Sequence, residues 1–255
     1  MNTKRKQKIV YVIPTYNEIE NISEMLVLVN KVLLSLKKYT YNILVVDDNS
    51  PDGTAKVVKK FRQKNKSIVL LTGVKNGLGA AMIKGFKYAT NNLKADIVIA
   101  NEADFSFSPR RVPYMISKIE KGYDVVVASR RFKDVYSWPL SRRIIHMTAN
   151  SFFAGVIAGV SEVEDHNSAF KAIRVKGVLD SIDFSTFPKG FGFFNYLVFK
   201  LSQKTSKIVE FGTTFTHRTR GQSKVGNPKY LKSFIRDVIE YVTNCFQIRI
   251  ERTIK

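Results

Sequence analysis

Cysteine occurs once in this 255-residue chain, at Cys245, which excludes an intrachain disulfide and suits a reducing compartment. Histidine is nearly as scarce. His146, His166 and His217 are scattered, and no Ser–His–Asp or metal–histidine pattern forms around them. No apolar run approaches the roughly 20 residues of a membrane-spanning helix. No signal peptide is expected either, because the apolar stretch after the basic Met1–Lys8 segment is a short strand broken by Pro14. A linker rich in Pro, Gly or Ser is also missing, as are repeats and low-complexity blocks. One domain with a C-terminal extension follows: a basic leader over 1–8, the main domain over 9–228, and an amphipathic helix with a basic tail over 229–255.

Negative charge is also in short supply. The 21 acidic residues face 42 basic ones, for a formal net charge of +21 at pH 7. Part of that excess is an ordinary solvated lysine surface, but its size calls for an anionic partner: nucleic acid, anionic lipid or phosphorylated substrates. Nucleic acid is set aside because no helix-turn-helix, zinc, RRM or KH signature appears. A soluble or peripheral protein that meets an anionic membrane surface and phosphorylated molecules is the expectation.

What the chain does have is a series of apolar strands that end in polar groups. Ile43-Leu44-Val45-Val46 reads as a buried parallel strand, and Asp47-Asp48 stand at its C-terminal end, where open α/β sheets bind ligands. Asn49-Ser50-Pro51-Asp52-Gly53 is turn chemistry, and Asp52 or Thr54 is suited to cap a following helix. Upstream, Ile9–Ile13 runs into Pro14-Thr15-Tyr16-Asn17-Glu18. Downstream, Ile97–Ala100 ends in Asn101-Glu102-Ala103-Asp104, and Val125–Ala128 ends in Ser129-Arg130-Arg131. Four strands thus deliver polar or charged groups at one end, the pattern of a nucleotide-binding α/β sheet with one working edge.

These motifs, with Lys75-Asn76-Gly77-Leu78-Gly79-Ala80-Ala81 and Arg218-Thr219-Arg220-Gly221-Gln222-Ser223-Lys224, occur in a family order. Over roughly residues 8 to 240 the chain resembles the family-two inverting glycosyltransferases of the GT-A fold, and within them the dolichyl-phosphate (polyprenyl-phosphate) mannosyltransferase group. The resemblance implies a mostly parallel sheet flanked by helices. It also implies transfer of a hexose, mannose from GDP-mannose, to a polyprenyl phosphate with inversion. Pro14, Tyr16 and Glu18 would line the nucleotide pocket, with Asp47 or Asp48 meeting base and ribose. Glu102 and Asp104 match the family's Asp-x-Asp motif and would hold Mg2+ or Mn2+, a Lewis acid for the diphosphate leaving group. Arg130, Arg142 and Arg143 would bind the acceptor phosphate, and Arg218 and Lys224 would belong to a loop that closes over donor and acceptor phosphates. The two glycines before the helix at Leu78 would let backbone N–H groups approach phosphate or sugar.

The chain departs from that pattern at several places. Glu stands first in the acidic motif, and Thr72 occupies the neighbourhood of a family Arg. Near Tyr196, where relatives carry a Glu, Asn195 is the nearest polar group. The run Asp165-His166-Asn167-Ser168-Ala169-Phe170-Lys171 replaces a family Gly and Arg. Two alternatives therefore stay open: another donor such as UDP-glucose or a glycan acceptor, and a weakly active or non-catalytic nucleotide-sugar-binding homologue. Segments 142–160 and 230–246 both carry apolar residues at helical spacing beside basic ones. Core packing or a membrane-surface helix would suit either, with the first the better fit for a membrane-surface helix and the second for core. Attachment is expected on the cytoplasmic face, alone or with a separate membrane-anchoring subunit.

Overall fold

The computed structural model describes residues 5–130, 140–157, 159, 161, 163–190, 192–215 and 231–253. The first half is β1 (Lys8–Thr15), α1 (Ile19–Ser35), β2 (Thr40–Asp47), α2 (Thr54–Lys64), β3 (Ile68–Thr72), α3 (Leu78–Asn91) and β4 (Ile97–Ala100). There follow α4 (Val112–Glu120), β5 (Val125–Arg130) and α5 (Leu140–Met147), the last continuing as a π-helical stretch, Thr148–Ile157. β6 (Lys171–Arg174), α6 (Phe193–Ser202), β7 (Ile208–Thr213) and α7 (Leu231–Thr253) complete the described chain.

The seven strands form one sheet in the order β3-β2-β1-β4-β6-β5-β7. β1 pairs in parallel with β2 and β4, and β5 with β7. Only β6, among the described strands, runs antiparallel to its neighbours β4 and β5. The mostly parallel sheet expected from the sequence is present, and β6 has a consequence for the site. Because it runs backwards, its first residue, Lys171, lies opposite Ala100 of β4 and Val127 of β5. The segment that leads into β6 therefore arrives at the edge where β4 and β5 end.

β1 shows why the sheet needs helices on both faces. Side chains alternate along a strand. Val10 and Val12 enter one core with Phe86 of α3, Leu197 of α6 and Cys245 of α7. Ile9, Tyr11 and Ile13 enter the other with Met25 of α1 and Met115 of α4. Each fully buried aliphatic side chain of this size contributes about 1.5–3 kcal/mol. α7 is thus part of the main core, with Tyr241, Cys245 and Ile248 facing inward while Ile235, Val238, Ile239, Phe246 and Ile250 stay exposed. Leu140, Ile144, Met147, Phe152 and Val156 are likewise exposed along α5 and its π-helical continuation. Among the described residues no helix is long and apolar enough to cross a membrane.

Candidate active site

The loops after β1 and β2 are laced into one unit. Thr15 Oγ1 donates to Asp47 Oδ1 at 2.9 Å, and the Asn17 amide donates to Ser50 Oγ at 3.0 Å. The Glu18 amide reaches Thr54 Oγ1 and the Ile19 amide reaches Asp52 Oδ2, both at 3.0 Å. Asp52 also accepts from the Thr54 amide at 2.9 Å, so it secures the start of α2 as its place in the turn suggests.

The acidic pair divides its labour. Asp47 is fully buried, and its carboxylate is occupied by Thr15 and by the amide and hydroxyl of Ser50. It shapes the turn. Asp48 faces the loop before α3, where burial and the neighbouring Asp47 raise its carboxyl pKa against the pull of Lys84, the Asn76 amide and Lys75. Lys75 Nζ sits 3.6 Å from the Tyr16 ring centroid, a cation–π contact on the half-buried tyrosine. Glu18, also half-buried, accepts from Asn21 Nδ2 at 2.8 Å. Pro14 is buried within β1 opposite Val46, so it belongs to the sheet rather than to the open face.

After β4, buried Asn101 donates to the Tyr11 hydroxyl at 2.9 Å and accepts from the Glu102 amide at 3.0 Å. Ala103 is buried, and the flanking Glu102 and Asp104 are half-exposed. The backbone here bends instead of continuing as strand, and Asp104 Oδ1 accepts from the Ser106 amide at 3.0 Å. Among the described residues, four non-glycine residues have positive φ. Three of them, Asn17 at 60°, Asn49 at 52° and Phe105 at 60°, lie in these strand-end loops. Such conformations cost of order 1–3 kcal/mol for a bulky residue and gather where a site holds the chain in place.

Two carboxylates of this kind suit a hard cation such as Mg2+ or Mn2+, which takes one or two protein carboxylates and lets substrate phosphates complete its shell. Among the described residues no group of three or more His, Cys, Asp or Glu is gathered for a metal.

At the end of β5, Arg130 is engaged by Asp165. Its amide and Nε donate to Asp165 Oδ2 at 3.0 and 2.7 Å, and Nη2 donates to Oδ1. Glu210 of β7 in turn accepts from the amides of Glu164 and Asp165 at 2.8 and 3.0 Å. The 164–168 segment is closed on its far side by Lys171, fully buried, whose ammonium donates to the carbonyls of Ser168 and His166. Burial pushes Lys171 down to about 7, with Arg130 acting in the same direction and Asp165 and Glu210 opposing. Sequence reasoning missed Glu210 and the pairing of Asp165 with Arg130; the Asp165–Lys171 run was the one signal pointing there.

The edge therefore brings together Tyr16, Glu18, Asp48, Glu102, Asp104 and Arg130. Arg143 lies half-buried on α5. Arg142 shares that helix, but its side chain falls outside the described residues, as do Arg218 and Lys224 altogether.

A glycosyl transferase family 2 model matches residues 11–181. The dolichol-phosphate mannosyltransferase of Pyrococcus furiosus is 31% identical over 97% of this chain and 67% of its own length. The undecaprenyl-phosphate mannosyltransferase of Micrococcus luteus is 31% identical over 86% of this chain and 87% of its own. The glucosyl-3-phosphoglycerate synthase of Mycobacterium tuberculosis, solved with Mn2+, uridine diphosphate and phosphoglyceric acid, superposes with a TM-score of 0.62 at 20% identity. It covers 94% of this chain and 78% of its own, and it shares the GT-A architecture. By both measures the chain belongs to glycosyl transferase family 2 and is a glycosyltransferase of the GT-A fold.

Proposed function

We propose that this enzyme transfers mannose from GDP-mannose to a polyprenyl phosphate at a membrane surface, with inversion at the sugar's anomeric carbon. The observation that carries this reading is the single sheet edge that gathers a carboxylate pair, Glu102 and Asp104, beside Tyr16, Glu18 and Asp48 on one side and Arg130 on the other. The names of the two relatives at 31% identity support the sugar and the lipid phosphate.

A phosphate oxygen of the acceptor attacks the anomeric carbon from the face opposite the nucleoside diphosphate. A new C–O bond forms as the old one breaks, and the diphosphate departs with the bonding pair. A lipid phosphate is already anionic at neutral pH, so no residue has to deprotonate it. Tyr16, Glu18 and Asp48 hold the nucleoside, with Asp47 fixing their loop through Thr15 and Ser50. Glu102 and Asp104 would hold the Mg2+ or Mn2+, which when bound would supply Lewis-acid relief for the leaving charge. Because the Arg130 fork is taken up and neutralised by Asp165, Arg130 shapes the acceptor side, while Arg142, Arg143, Arg218 and Lys224 supply phosphate contacts.

A lipid acceptor requires the enzyme to work at a bilayer. The exposed apolar residues of α5 and its continuation, next to Arg142 and Arg143, support peripheral attachment, which this reading puts on the cytoplasmic face. α7 offers a second apolar stripe for a separate membrane-anchoring subunit.

The test is a panel of GDP-mannose, UDP-glucose and UDP-GlcNAc against dolichyl and undecaprenyl phosphate with Mn2+, reading nucleotide release. Release that needs both GDP-mannose and a lipid phosphate is expected. Release with a UDP-sugar alone would redirect the donor, and no lipid-dependent turnover with any donor would overturn the reading.

A further inference from the structure

The loop between β3 and α3 faces the nucleotide side of the site. Lys75 covers Tyr16, and the Asn76 backbone acts on the Asp48 carboxyl, favouring its charged form. Its opposite side rests on residues 188–190 at close range. Gly77 has φ 94°, and a Cβ there would come within 2.3 Å of the Lys189 carbonyl oxygen. A Cβ on Gly79 would come within 2.4 Å of the Pro188 carbonyl oxygen. The Gly79 amide donates to Lys189 O at 2.8 Å. Both glycines are thus required by this backbone contact, before any phosphate is considered. Wherever 188–190 sits, the loop must follow.

What holds 188–190 comes from the far end of the chain. Glu240 of α7 accepts from the Lys189 amide through Oε1 and from the Gly190 amide through Oε2, each at 3.1 Å. A carboxylate that bridges two consecutive amides makes charge-assisted bonds and fixes the direction of that peptide. Glu240 is itself anchored beside buried Tyr241, on a helix whose inner face is core. We infer that Glu240 is a positioning residue for the nucleotide-sugar loop, acting through Lys189–Gly190 on Gly77 and Gly79 and from there on Asn76 and Lys75. This rests on the donor reading above.

α7 carries its own control. Glu251 also ties the helix inward, accepting from the Tyr196 hydroxyl at 2.8 Å and from Lys200, but it bonds α6 and not 188–190. A merely structural role for α7 acids predicts equal effects from Glu240→Ala and Glu251→Ala. Positioning predicts a split.

The experiment compares the full-length wild type, Glu240→Ala, Glu240→Gln and Glu251→Ala. Amide hydrogen exchange at Gly79, Lys189 and Gly190 reads the loop without ligand. Titration with GDP-mannose and with UDP-glucose in the presence of Mn2+ reads donor affinity. Glu240→Ala is expected to speed those amides and weaken donor binding by about tenfold, with kcat at saturating donor retained. Glu240→Gln, which keeps one acceptor oxygen, should fall between, and Glu251→Ala should change neither readout. Unchanged exchange or unchanged affinity in Glu240→Ala overturns the inference, as does an equal effect from Glu251→Ala. A wild type that binds neither nucleotide sugar overturns the donor reading, and the inference with it.

Discussion

Asp165 holds Arg130 at three points, through the backbone amide, Nε and Nη2, with side chains only 5% and 13% exposed. The pair joins the end of β5 to the segment that enters β6, two pieces of chain 35 residues apart. Removing one partner of a buried ion pair leaves an uncompensated charge, which costs about 3–5 kcal/mol. Asp165→Asn is therefore expected to lower unfolding free energy by about that much in urea titrations at pH 7. A loss below about 1 kcal/mol, the scale of exposed pairs, would mean that the arginine finds water or another partner.

Asp104→Asn separates metal binding from local structure. The Asp104 carboxylate also accepts from the Ser106 amide, and an asparagine carbonyl preserves that bond. Stability should stay within about 0.5 kcal/mol of wild type, as for other substitutions that break no packing or hydrogen bond. Turnover should fall at least about a hundredfold, since neutralising the leaving diphosphate is worth several kcal/mol. Glu102→Asp should retain activity or raise it. Wild-type turnover by Asp104→Asn at saturating Mn2+ would remove this carboxylate from the metal site.

Much of this edge was legible in the sequence, for a physical reason. Ile9–Ile13, Ile43–Val46, Ile97–Ala100 and Val125–Ala128 are buried on both faces, so they read as uninterrupted apolar runs that stop where the polar loops start. β6 carries no such signal. It is four residues long and opens on Lys171, a residue type that is almost never fully buried. Nor does one sequence distinguish Asp47 from Asp48, because what makes Asp47 structural is Thr15 on the neighbouring strand. Gly77 and Gly79 suggested close approach to phosphate. The close approach seen in the structure is to the backbone of 188–190, more than a hundred residues further along the chain, and it requires the glycines whether or not a phosphate binds there.

Lys171 makes a pH prediction with a definite sign. Its folded pKa of about 7 lies below the ordinary 10.5, so between those values the unfolded chain holds the proton and the folded chain releases it. Stability contributed by this group therefore rises with pH across that window, and below about 7 the full cost of burying the charge applies. Asp165 and Glu210, the acids facing it, oppose the shift, and Arg130 reinforces it. In Lys171→Met the titration is gone. The wild-type minus variant difference in unfolding free energy should climb from pH 7 to pH 10, and a flat difference would mean that the ammonium stays charged inside the protein.

Membrane attachment should have two separable parts. The net charge of +21 favours anionic bilayers, but exposed charges more than about 10 Å apart are largely screened near 0.1 M salt. That part should fade as salt rises. The exposed stripe of Leu140, Ile144, Met147, Phe152 and Val156 adds an apolar part that screening does not touch. Flotation with liposomes containing phosphatidylglycerol, at low and high salt, compares wild type with Phe152→Ser/Val156→Ser. Both residues are exposed, so the double variant should fold normally. Wild type is expected to float at low salt and to keep a bound fraction at high salt, while the variant binds at low salt and releases completely. If both proteins release alike at high salt, attachment is purely electrostatic and α5 faces water. If neither floats at low salt, the lipid acceptor loses its physical basis, since a polyprenyl chain stays in the bilayer and only an enzyme at its surface reaches the phosphate.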